Sequence, residues 1–100
     1  MILEVVVLDI TDGKTNDFEK AFLKAQNIIS SANGYVSHEL HKCIEKDNRY
    51  LLTVKWQSIQ DHMEGFRESP QYQEWKALLH HFYSPFPTVE HYKIIQNVPN

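Results

Sequence analysis

Scarcity bounds this chain first: one cysteine, three glycines and four prolines stand among its 100 residues. A lone Cys43 excludes an intrachain disulfide and fits a reducing compartment, so a cytoplasmic location is expected. So few glycines leave no glycine-rich loop to cradle a phosphate. The chain also lacks metal-spaced cysteine pairs, a G-x-S-x-G elbow and an H-E-x-x-H helix, so no metal is expected. The net charge is −3 with acids and bases interspersed, and no Lys/Arg cluster exists, so no nucleic-acid partner is expected. No apolar run approaches the roughly 20 residues that span a bilayer, so no membrane association is expected. The first residues read as a strand, with no basic n-region or small-residue cleavage site, so no secretory leader is expected.

Hydrophobic residues make up 42% of the chain, enough to fill one core, so a single domain over 1–100 is expected. Ile2 to Ile10 is β-rich and nearly all apolar, the mark of a strand buried on both faces. Asn16 and Glu19 have capping-box spacing, and Phe18, Ala21, Phe22, Ala25, Ile28, Ile29 and Ala32 then recur at helical period, up to Asn33-Gly34. Tyr35 to Ile44 reads as an edge strand with Val36, Leu40 and Ile44 on one parity. A turn at Lys46–Asn48 leads to a third strand, Arg49 to Gln57. Ser58 and Asp61 open a short helix with Ile59, Met63 and Phe66 as its inner stripe. Ser69-Pro70 breaks and restarts it, and Tyr72, Trp75, Leu78, Leu79 and Phe82 continue the stripe. After Pro85 and Pro87, Thr88 to Gln96 reads as the last strand.

The order β-α-β-β-α-β predicts an α+β, ferredoxin-like fold with a four-stranded antiparallel sheet, strands one and three central. Helices on one side cannot cover a strand apolar on both faces. A second copy packed sheet to sheet would cover the other face, so a homodimer is expected.

Six histidines are the main candidates for chemistry. His38 and His41, three apart on a strand, point to opposite faces and read as solvated edge residues. His80 and His81 lie at a helix C-terminus, where the dipole favours them. His62 sits four residues before Phe66, and His91 shares parity with Val89 and Ile95. Each reads either as a satisfied core histidine or as a neutral imidazole able to take a substrate proton near pH 7. Trp56, Phe66, Tyr72 and Trp75 read either as core or as the aromatic wall of a pocket for a flat organic molecule. Arg67 reads either as a surface arginine or as a partner for a carboxylate.

The segment Trp56-Gln-Ser-Ile-Gln-Asp-His62-Met-Glu-Gly-Phe66-Arg67-Glu-Ser69-Pro70-Gln-Tyr72-Gln-Glu-Trp75, with Phe86-Pro-Thr-Val-Glu-His91-Tyr92, resembles the antibiotic biosynthesis monooxygenase (ABM) domain family. The resemblance implies a dimeric α+β barrel built from two ferredoxin-like sheets. Enzymes of this family oxygenate polycyclic phenolic or anthrone-type substrates without metal, flavin or haem, because the substrate anion reacts with O2 itself. By position, the resemblance puts Trp56, His62, Phe66, Tyr72 and Trp75 in the family's pocket-facing region and His91 in its last-strand segment. Trp56, Phe66, Trp75 and Arg67 are then expected to bind substrate, and Tyr72, His62 and His91 to be catalytic, either histidine serving as base or proton shuttle. Haem-degrading relatives need an Asn on the first strand and a Trp where Phe66 stands, and this chain has neither. The expectation is therefore a cofactor-independent monooxygenase using O2 on a small aromatic, polycyclic phenolic or quinone-type metabolite. The alternative is a non-catalytic dimeric ligand-binding or stress-related module of the same fold.

Overall fold

A computed structural model describes residues 1–99. The elements are β1 (Ile2–Asp9), α1 (Thr15–Ile29), β2 (Tyr35–Lys42), β3 (Arg49–Trp56), a π-helical turn (Asp61–Phe66), α2 (Pro70–Leu79), a 3-10 turn (His80–Phe82) and β4 (Val89–Lys93). The four strands form one antiparallel sheet in the order β2-β3-β1-β4, the ferredoxin-like arrangement with β1 and β3 central.

Alternation along β1 sorts its side chains. Glu4, Val6, Leu8 and Ile10 are buried on the helix side, beside Tyr50, Leu52, Val54 and Trp56 of β3. Phe18, Phe22, Ala25 and Ile29 of α1 and Trp75 and Leu79 of α2 close that core. Leu3, Val5 and Val7 point the other way, where Val7 keeps 43% of its surface and its register partner Leu51 keeps 36%. This second face is apolar along its centre, and none of the described elements covers it.

Several local expectations shift. The helix α1 begins at Thr15, before Asn16, and has no side-chain cap. Glu19 is drawn elsewhere: it accepts the Tyr50 hydroxyl of β3 and lies 3.9 Å from Lys42 Nζ. A bulge after Tyr35 makes Val36 the extra residue of β2, which separates it from the inward parity of Leu40. The same strand turns His38 inward against Phe22, with Nδ1 2.5 Å from Tyr35 Oη, so His38 is half-buried rather than solvated. His41 faces outward, 3.0 Å from Glu39. The strand β4 is shorter than expected, ending at Lys93.

The segment after β3 starts as predicted: Asp61 donates its backbone N–H to Ser58 Oγ, which in turn donates to the Asp61 carboxylate. It then widens. Arg67 N–H bonds to His62 C=O, an i→i+5 step. A three-residue step no longer returns to one face in so wide a turn, so the expected stripe of Ile59, Met63 and Phe66 fails. His62 and Phe66 point inward, and Ile59 and Met63 outward. Gly34 holds this segment close: its φ is +81°, and a Cβ there would meet Asp61 at 2.2 Å. Ser69 caps α2 on Tyr72 N–H, with Pro70 in the first turn, as its sequence signature implied.

Candidate active site

A cavity of about 50 Å³ lies between the broken helix and the sheet. It is lined by Glu4, Val6 and Leu8 of β1, by His62 and Arg67 from the π-helical turn and its end, by Tyr72 and Trp75 of α2, and by His80, Tyr83 and Phe86 that follow α2. Of the residues singled out in the sequence, His62, Arg67, Tyr72 and Trp75 meet there. Phe66 stands one layer behind, its ring edge-on to Tyr72 at 5.5 Å and to Trp75 at 5.9 Å. Trp56 is fully buried behind His62, the two rings stacked at 5.2 Å. His91 lies outside the cavity lining but touches His62.

Glu4 is the residue that sequence reading missed. It is only 6% exposed, yet it carries a carboxyl. Trp56 Nε1–H donates to its Oε1 at 2.9 Å, and His62 Nε2 stands 3.4 Å from the same oxygen. Oε2 has no hydrogen-bond partner among the described residues. Burial pushes the carboxyl up to about 7; the Trp56 hydrogen bond and the Arg67 charge oppose the rise. A signal existed. On the helix-facing parity of β1 (Ile2, Glu4, Val6, Leu8, Ile10) Glu4 is the only charge, and a lone charge in a core stripe is a functional candidate.

His62 is 4% exposed and driven down to about 3, by burial first and then by the neighbouring His91 and Arg67. It is therefore a neutral imidazole at ordinary pH, and its contact with Glu4 is a hydrogen-bonding approach, not an ion pair. Its Nδ1 lies 2.7 Å from His91 Nε2. Burial lowers His91 as well, again with Arg67 contributing.

The cavity lining holds the second missed residue. His80 Nδ1 is buried without a partner, while Nε2 reaches the Tyr72 hydroxyl only at 3.5 Å. Its ring packs edge-on against Phe86 at 5.1 Å. A helix-end dipole explains a histidine here, but not one whose nitrogen is orphaned against a cavity. Leaving such an atom unpaired costs about 1–3 kcal/mol. His80→Phe should therefore raise the unfolding free energy of the empty protein by about 1–3 kcal/mol, read by urea titration. An unchanged midpoint would show that Nδ1 is hydrated. Arg67 lies over the Tyr72 ring, 5.9 Å from its centroid, as the cavity's fixed positive charge. Burial holds the Tyr83 hydroxyl well above the ordinary phenol range.

Among the described residues no group of three or more His, Cys, Asp or Glu side chains is placed to hold a metal ion. No helix there is long and apolar enough to cross a membrane. What remains is a small, aromatic-walled hollow with one near-neutral carboxyl, neutral imidazoles and one guanidinium.

A two-layer α+β sheet with such a hollow beneath a broken helix defines the class, and comparison with known proteins names it. The antibiotic biosynthesis monooxygenase family profile matches residues 1–78, and the chain belongs to that family. It is 54% identical over 93 residues to YczJ of Bacillus subtilis, an uncharacterised protein, covering 93% of this chain and 98% of that one. Its fold matches a candidate antibiotic biosynthesis monooxygenase from Bordetella bronchiseptica with TM-score 0.91 and 32% identity, over 95% and 97% of the two chains. SnoaB of Streptomyces nogalater, a cofactor-independent oxygenase, shares the fold at TM-score 0.86 and 18% identity, over 99% and 97% of the chains.

Proposed function

We propose that this protein is a homodimeric, cofactor-independent monooxygenase of small aromatic metabolites, with Glu4 as the group that takes the substrate proton. The observation that carries the reading is a buried carboxyl, poised near neutrality, with one oxygen anchored and the other free in the lining of an aromatic cavity. A base is most effective when its pKa lies near the working pH. His62 meets that condition poorly and becomes the next link behind Glu4 instead.

The chemistry needs little more. Glu4 Oε2 removes a proton from an O–H, or from a C–H made acidic by neighbouring aryl and carbonyl groups. Arg67 and the Tyr72 hydroxyl hold the resulting anion. The electron-rich carbon adds O2, the proton returns to give a hydroperoxide, and loss of water leaves a carbonyl. In sum, CH2 and O2 become C=O and H2O. SnoaB, whose fold this chain shares, is likewise a cofactor-independent oxygenase.

Cavity size bears on the substrate. A water needs roughly 10–15 Å³ of such space, so about 50 Å³ admits only a few. A ring-bearing substrate enters only if the lining moves, and Phe86, 64% exposed, is the most exposed of the lining aromatics. One-ring and two-ring substrates fit this arrangement better than polycyclic ones.

The test is oxygen uptake by the protein with quinols, naphthols and anthrones, without added metal or cofactor. The expected result is one O2 consumed per substrate, no free peroxide, and loss of turnover in Glu4→Gln and Arg67→Leu. If a ligand binds tightly while no member of the panel consumes O2, the protein is a binding module of the same fold.

A further inference from the structure

The geometry points to a proton path that leads from the cavity through Glu4, His62 and His91 to the outer end of the β4 side, the two imidazoles passing the proton by inverting their tautomers together. It deepens the reading of Glu4 as proton acceptor and rests on it, but its test needs no substrate.

Three elements build the path. The register of β1 and β4 sets His91 directly opposite Glu4 on the same face of the sheet. The π-helical turn then lowers His62 between them, with Nε2 3.4 Å from Glu4 Oε1 and Nδ1 2.7 Å from His91 Nε2. Stacking on Trp56 fixes the His62 ring. His91 is half-buried, and its Nδ1 has no hydrogen-bond partner among the described residues.

The groups facing this chain of atoms disfavour a charged ring. Among the described residues, β3 contributes the Trp56 N–H and the end of the turn contributes the Arg67 guanidinium; His80 and Tyr83 also line the cavity, and burial keeps the Tyr83 phenol protonated and disfavours a charged His80 ring. Glu90, next to His91 in sequence, accepts from Tyr92 instead. Among the described residues Glu4 is the acid in contact with His62, and with no second one to balance it an imidazolium there is disfavoured, as the depression of both histidines agrees.

Neutral rings leave two hydrogen-bond directions. With Glu4 ionised, His62 Nε2–H donates to Oε1, His91 Nε2–H donates to His62 Nδ1, and His91 Nδ1 is bare. With Glu4 protonated, and its carboxyl turned so that the oxygen that took the proton stands in the place of Oε1, its O–H donates to His62 Nε2, His62 Nδ1–H donates to His91 Nε2, and His91 Nδ1 carries a proton. Passing from the second state to the first breaks O–H on Glu4 and forms N–H at His62 Nε2. It breaks N–H at His62 Nδ1 and forms N–H at His91 Nε2. It also breaks N–H at His91 Nδ1, whose proton leaves to water. One proton moves from Glu4 to solvent and neither ring ends charged. His91 is thus a positioning and exit residue, not one that touches substrate.

The experiment is a pH titration of the unliganded protein with 15N-labelled histidine, following the four ring nitrogens of His62 and His91 by NMR. Both rings should exchange protonated and bare nitrogens with one shared midpoint, the one at which the Glu4 carboxyl carbon titrates, with no imidazolium signal. In Glu4→Gln the amide oxygen takes the place of Oε1, accepts from both Trp56 Nε1–H and His62 Nε2–H and does not titrate, so both tautomers should stay fixed. A static His62 beside a His91 that charges with its own midpoint overturns the path, and the wild-type titration alone can show this. Inversion without oxygen uptake would keep the path and sink the oxygenase reading. Uptake with static rings would do the reverse.

Discussion

Glu4→Gln is expected to lower oxygen consumption on any accepted substrate by about a hundred- to ten-thousand-fold, the usual worth of a positioned general base, while making the fold more stable at alkaline pH. The two effects share one cause. An exposed carboxyl in the unfolded chain titrates near 4.5, and the folded protein holds the Glu4 proton up to about 7. Between those values the native state binds a proton that the unfolded state has lost. The stability this group contributes is therefore complete below 4.5 and lost as pH rises through about 7. A shift of this size amounts to about 3 kcal/mol. Glutamine has the same shape, keeps both hydrogen bonds and does not titrate. The advantage of Glu4→Gln over wild type should grow by about 3 kcal/mol from acid to alkaline pH, measured as the difference between paired urea titrations. His62 acts in the opposite sense: driven down to about 3, it contributes stability above 6.5 that is lost as pH falls. It is present in both proteins and largely cancels in the difference. A difference that stays flat with pH would show an ordinary carboxylate and remove Glu4 as the base. Stability gained by removing a functional group is the usual mark of a working site.

Val7→Lys is expected to separate the proposed dimer without unfolding the protomer. In one protomer Val7 is 43% exposed, so a lysine there keeps its ammonium in water and leaves the core intact. In a pair of sheets meeting front to front, the same position is central, beside Leu51 and Val5. The symmetry of such a pair buries two lysines, with penalties that together reach about 3 kcal/mol or more, over a hundredfold in dissociation constant. Sedimentation of wild type and variant at micromolar concentration reads the result, and circular dichroism confirms the shared fold. A wild-type protein that sediments as a single subunit, or a variant that sediments with it as a dimer, removes the proposed interface.

Much of the architecture could be read from neighbours in sequence. Ile2 to Ile10 declared a two-faced strand through composition alone, and the structure puts it at the sheet centre with Val7 and Leu51 left uncovered. Ser69-Pro70 marked the break in the helix because capping is a local interaction. His62 and His91 stood out as imidazoles on apolar faces, and they touch. Where sequence reading failed, the deciding interaction came from outside the local segment. Asn16 had capping spacing, but Glu19 was claimed by Tyr50. His80 had a helix-end explanation that hid its orphaned nitrogen. Trp56 and Phe66 had the aromatic character of a pocket wall, yet they pack one layer behind it.

The sequence by itself determined the order of elements, the two central strands and the apolar second face, because periodicity, turns and caps are written over a few adjacent residues. Only the tertiary structure decided the chemistry. Residues 4, 62 and 91 come from three separate elements, and nothing in their spacing brings them within hydrogen-bonding reach. Burial turns Glu4 from an ordinary surface acid into a carboxyl poised near neutrality, and burial is a property of the packed molecule.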